Sequence, residues 1–135
     1  MTECDCKDKK TPKRYGSVIK LKPGMYERYK ELHATVWPKV LERIYKSNIR
    51  NYTIYHDKNT QVLFSHFEYI GDNFEADMAA IAADPITIDW WKECEPCQES
   101  FDWTGPPPSE GGKGGNWWVP CEEMFHDGHS PIKYS

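Results

Sequence analysis

The sequence predicts an α+β domain of the ferredoxin-like, split βαβ type, whose protomers pair into a dimeric α+β barrel. Three observations carry this. Helical and strand-like periodicities follow one another in the order β-α-β-β-α-β, a hairpin pattern occupies the middle, and 135 residues suffice for one domain. An antiparallel sheet with helices on one face leaves the other face to water or to a second copy, which is why the protomer is expected to pair sheet to sheet.

Residues 1–13 are charged and read as a disordered leader. Tyr15 to Leu21 is β-favouring in its order and ends at Lys22-Pro23-Gly24, the exit of a first strand. Met25, Tyr29, Leu32, Val36, Val40 and Ile44 then recur at three- and four-residue steps, one apolar helical stripe. Pro38 lies inside that stripe, so the helix is expected to break near Trp37 and end at Ser47-Asn48. Ile49–Tyr55 and Val62–Tyr69 flank a turn-forming stretch, residues 56–61, and predict a hairpin. A second helical region places Phe74, Met78 and Ile81 on one face, breaks at Asp84-Pro85 and resumes through Trp90 and Trp91 to about Gln98. Residues 104–116 read as a Pro/Gly-rich linker too poor in apolar groups to order itself. Trp117 to Phe125 is apolar again and is expected to be the last strand. The domain is thus placed at 14–126, with a polar tail at 127–135.

Nineteen aromatics (six Trp, eight Tyr, five Phe) offset a mean hydropathy of -0.79, because each buried ring removes roughly 150–250 Å² from water. A net charge of -4 with mixed signs argues against nucleic acid as a partner. No apolar run approaches the roughly 20 residues of a membrane span, so a soluble, cytoplasmic protein is expected. Cys4, Cys6, Cys94, Cys97 and Cys121 give one C-x-x-C with Pro96 inside it and no partner motif, so they read as reduced thiols rather than a metal or redox site. No P-loop, G-x-S-x-G, H-E-x-x-H or dinucleotide fingerprint is present.

Three elements carry candidate chemistry. Tyr29 and His33 are one helical turn apart on the apolar stripe, a phenol and an imidazole aimed toward the sheet. The same spacing also suits a core histidine bonded to a tyrosine. Alternation in the hairpin places Tyr52 on the face of Ile54 and Asn51 on that of Tyr55. These tyrosines equally suit sheet packing. Trp90 and Trp91 point about 100° apart on a helix, so one can pack in the core while the other lines a cavity. Trp117 and Trp118 read as packing residues. His56 and Asp57 fall at a turn and are expected in solvent; His66 can face either side of the sheet; His126 and His129 belong to the tail.

Taken together, Tyr29-x-x-x-His33-x-x-x-Trp37-Pro38, Asn51-Tyr52-x-Ile54-Tyr55-x-Asp57-Lys58, Trp90-Trp91-Lys92 and Glu122-Glu123-x-Phe125 resemble the L-rhamnose mutarotase family. The match in order and spacing covers roughly residues 15–98 and 117–126. The resemblance implies a homodimeric barrel that interconverts the α and β anomers of a deoxy-hexose pyranose, L-rhamnose or a relative such as L-fucose, without metal or cofactor. It makes His33 the proton donor, and Tyr29, Tyr52, Trp90 and Trp91 sugar-binding residues. Ring opening is then expected to take a proton to the ring oxygen from His33, with a tyrosine or a bound water as partner base. The leader and the insert before Trp117 go beyond the family's compact pattern. On the residues alone, a different cofactor-free barrel reaction (cyclase or monooxygenase-like) or a non-catalytic ligand-binding dimer also fits.

Overall fold

A computed structural model describes residues 11–112 and 114–128. Its elements are β1 (Lys13–Leu21), α1 (Tyr26–Ala34), α2 (Pro38–Lys46), β2 (Ile49–Asp57), β3 (Val62–Tyr69), α3 (Phe74–Ala83), α4 (Pro85–Cys94), a 3-10 turn (Glu95–Cys97), β4 (Gln98–Glu99), a second 3-10 turn (Pro108–Glu110) and β5 (Val119–Cys121). The sheet runs β2-β3-β1-β4 with every pairing antiparallel, and β5 joins the same edge of β1 as β4. This is the expected α+β, split βαβ order, with each helical connection made of two short helices. Among the described residues, no helix is long and apolar enough to cross a membrane.

The helix breaks have local causes. Trp37 is extended (φ -61°, ψ 133°), as a residue before proline must be, and Pro38 then opens α2 where its missing N–H costs nothing. Asp84 repeats the device before Pro85 and caps α4 by accepting from the backbone N–H and hydroxyl of Thr87. Asn73 caps α3 by accepting from the N–H of Ala76.

One face of the sheet is buried beneath the helices. Ile19, Leu21 and Leu63 are fully enclosed there, each contributing roughly 1.5–3 kcal/mol of burial free energy, with Leu32, Val40, Trp90 and Cys94 completing the core. Tyr55 and Phe64 stack on the opposite, open face and remain exposed.

Several boundaries differ from the sequence reading. β1 begins at Lys13, two residues earlier than expected, because Lys13 and Arg14 continue the ladder against Tyr69 and Glu68. α4 stops at Cys94 rather than near Gln98, where the chain tightens through Pro96 and turns into β4. The last strand is not one run from Trp117 to Phe125. The edge of β1 is filled by two short pieces, β4 beside Lys20 and Leu21 and β5 beside Gly16, Ser17 and Val18.

The segment between those pieces is also more structured than its composition suggested. Asp102 accepts from the N–H of Asn116, Trp103 donates to the carbonyl of Pro106, and Ser109 donates through its N–H and hydroxyl to Glu95. Those polar contacts to α4's end and across the segment's own base supply the order that apolar burial could not. Cys4, Cys6 and His129 lie outside the described residues.

Candidate active site

Between the helices and the covered sheet face lies a cavity with two lobes. The inner lobe, about 280 Å³, runs under α4 and the 3-10 turn at Pro108–Glu110; the outer, about 660 Å³, opens along α1 toward the hairpin. Both are bordered by Tyr29, His33, Tyr52 and Trp90, and the outer lobe falls within the roughly 300–1,000 Å³ usual for a small-ligand site.

The i, i+4 spacing on α1 brings the rings of Tyr29 and His33 to 4.3 Å between centroids. His33 Nδ1 lies 2.9 Å from the backbone carbonyl of Tyr29. A carbonyl only accepts, so Nδ1 carries the hydrogen and, in the neutral ring, Nε2 holds the lone pair. Burial lowers the pKa of His33 from its ordinary 6.5, the Tyr29 carbonyl opposing that shift, so the resting imidazole is neutral and basic at Nε2. Trp90 meets the His33 ring edge-on at 5.4 Å and Trp37 meets Trp90 in the same manner at 5.3 Å, locking the imidazole against an aromatic wall.

Tyr29 is buried, and desolvation pushes its phenol well above the usual tyrosine range, with the Gln98 hydrogen bond working the other way. It therefore keeps its proton. Tyr52 reaches the cavity through a β-bulge. Between Arg50 and Thr53 the register with β3 shifts by one residue, and Asn51 takes a left-handed φ of 54°, which asparagine tolerates. The extra residue turns Ile49, Tyr52 and Ile54 toward the helices while Asn51 bonds Glu68 on the open face. Tyr52 keeps 44% of its surface accessible, and desolvation pushes its phenol up to about 12, with Cys94 adding to the rise.

The structure thus brings all five sequence-designated residues to one cavity: His33, Tyr29, Tyr52, Trp90 and Trp91. Trp90 is the core member of its pair and Trp91 the half-buried one. His56 corrects the sequence reading: it pairs opposite Leu63, faces the helices and borders the outer lobe, bonded to Gln61. Asp57 is half-buried and accepts from Asn59 and Thr60, closing the hairpin turn. His66 falls on the open face opposite Gly16 and Thr53, and His126 is exposed.

Other wall residues were not legible beforehand. Trp117 and Trp118 stand on the inner lobe instead of merely packing, and Gln98, Glu95 and Pro108 join them. Only the aromatic doublet at 117 and 118 offered any signal; Gln98 belongs to no motif. Cys94 also borders the lobe, its thiol kept protonated by burial at about 12. Among the described residues, no group of three or more His, Cys, Asp or Glu side chains is placed to hold a metal ion.

The family model described as L-rhamnose mutarotase matches residues 14–127, most of the chain. The chain belongs to the L-rhamnose mutarotase family. Among relatives, the L-rhamnose mutarotase of Phocaeicola vulgatus is 34% identical over 114 residues, covering 84% of this chain and 97% of that protein. That of Mesorhizobium japonicum is 30% identical over 115 residues, covering 85% and 97%. In fold, the crystal structure of an L-rhamnose mutarotase from Formosa agariphila superposes with a TM-score of 0.65 at 23% identity, covering 85% of this chain and 98% of that one.

Proposed function

We propose that this protein is an isomerase that interconverts the α and β anomers of L-rhamnose by acid–base ring opening in the cavity at His33. The observation that carries the reading is the neutral imidazole with its hydrogen pinned to the Tyr29 carbonyl, which leaves Nε2 with a free lone pair on a ring packed beside Tyr29 and Trp90 in the cavity that Tyr52 also lines.

The anomeric oxygen and the ring oxygen are both bonded to C1, so one imidazole nitrogen can serve both. His33 Nε2 takes the proton from the anomeric hydroxyl as the bond between C1 and the ring oxygen breaks. The imidazolium then hands that proton to the ring oxygen, giving the open hydroxy-aldehyde. Rotation about C1–C2 turns the other carbonyl face inward, and the reverse transfers close the ring as the opposite anomer. Burial favours the neutral ring, so the transient imidazolium is a good acid. Tyr29 keeps its proton and supplies a hydrogen bond to the oxygen on which negative charge develops, a stabilisation that grows toward the transition state.

Trp90 and Trp91 offer indole faces to the apolar C–H side of the pyranose, and Ile44, Ile54, Met78 and Ile81 supply an apolar surface for a 6-methyl group. A homodimer formed through the open sheet face, where Tyr55 and Phe64 stack, completes the barrel, and a cytoplasmic setting suits the free thiols of Cys94, Cys97 and Cys121.

The test is saturation-transfer NMR across a panel of monosaccharides with and without the protein. Faster exchange between the L-rhamnose anomers is expected. Absence of any enhancement, with every sugar, overturns the reading.

A further inference from the structure

The inner lobe contains a hydrogen-bonded chain that joins the two ends of the 98–117 segment and terminates on Tyr29. The indole N–H of Trp117 donates to Gln98 Oε1 at 2.8 Å, and Gln98 Nε2 donates to the Tyr29 hydroxyl at 3.1 Å. We propose that Gln98, clamped by Trp117, is a positioning residue that sets the direction of the Tyr29 hydroxyl hydrogen, making Tyr29 a donor to the pyranose. This rests on the mutarotase reading above and deepens it.

The polarity of the chain follows from its donors. An indole nitrogen can only donate, so the Gln98 atom facing it must be the carbonyl oxygen. The amide nitrogen is thereby turned on Tyr29, and an amide NH₂ can only donate. The phenol oxygen must accept, and its own hydrogen must point elsewhere. Gln98 and Tyr29 are both buried, so neither end can exchange its partner for bulk water at low cost. Among the described residues the Tyr29 hydroxyl donates to no protein acceptor, while Tyr29 borders both lobes of the cavity. Without Trp117 the amide could rotate by half a turn, accept from Tyr29 and leave the sugar facing lone pairs. Gln98 and Trp117 stand in none of the motifs that carry the family resemblance.

Gln98→Glu is the diagnostic change, because it keeps shape and reverses the chemistry. An ionised carboxylate accepts from both Trp117 and Tyr29, pulling the phenol hydrogen out of the cavity. A protonated carboxyl can donate to Tyr29 and restore the original direction. The expected result is a fall in kcat of about tenfold or more at pH 8, the scale of one misdirected hydrogen bond, with KM changed much less. The ratio of variant to wild-type kcat should then climb as the pH is lowered, which a simple packing defect would not produce. Trp117→Phe is the second variant. It leaves the amide unclamped and should lower kcat several-fold with KM little changed, whether or not Gln98→Glu folds. A pH-independent activity ratio in Gln98→Glu, or an unchanged kcat in Trp117→Phe, overturns the relay. If the wild-type protein accelerates no anomeric exchange at all, it is the mutarotase reading that fails instead.

Discussion

Replacing His33 by asparagine separates the imidazole's structural role from its chemical one. The Asn amide nitrogen occupies nearly the place of Nδ1 and can still donate to the Tyr29 carbonyl, 2.9 Å away in the native protein, while nothing replaces Nε2. The fold should therefore survive, with a stability loss of about 1 kcal/mol from the reduced contact with the Tyr29 and Trp90 rings. Catalysis should not. A positioned acid–base group contributes typically ~10²–10⁴-fold, equivalent to about 2.7–5.4 kcal/mol of barrier. The anomer exchange rate, measured by saturation transfer on L-rhamnose and taken as the slope against protein concentration, is expected to fall by that factor. Circular dichroism and thermal unfolding check that the variant is folded. A folded variant retaining more than about one-tenth of the wild-type slope would show that Nε2 is not the proton carrier, since a tenfold loss is below what such a group supplies.

Further outcomes follow from the same geometry. Because burial lowers the pKa of His33 below 6.5, the neutral ring persists through neutral pH, and activity should stay level there and decline only on acidification past that lowered value. The unfolded chain binds this proton more readily, so stability should also drop as pH falls below the ordinary histidine value, a dependence His33→Asn abolishes in denaturant titrations at matched pH. Ser109→Ala removes one of the two donors to the buried Glu95 carboxylate and should cost about 1–2 kcal/mol; faster hydrogen–deuterium exchange in residues 104–112 should accompany it. Asp84→Ala removes the cap of α4 and should lower stability by about 0.5–2 kcal/mol in chemical denaturation, with KM rising more than kcat falls because Trp90 and Trp91 ride on that helix.

The amino-acid order by itself determined the elements and named five residues that line the candidate site. Three- and four-residue apolar steps, interrupted by Pro38 and by Asp84-Pro85, set the paired helices, since a proline terminates a helix through its own covalent geometry. The i, i+4 step from Tyr29 to His33 likewise fixes their shared face before any tertiary contact forms. Only the folded chain decided what lies opposite. The bulge at Asn51, which turns Ile49 and Tyr52 to the same side, is a property of two strands in register and not of either one. The edge of β1 is shared by β4 and β5 because the intervening segment is held by Glu95, Ser109, Asp102 and Asn116, polar contacts that composition does not announce. Gln98 and Trp117 meet across 19 positions of chain, so their joint hold on Tyr29 exists only after that loop has closed. Periodicity records which way a side chain leaves its own backbone; which hydrogen bonds it finds there depends on segments distant in sequence that folding brings within 3 Å or so.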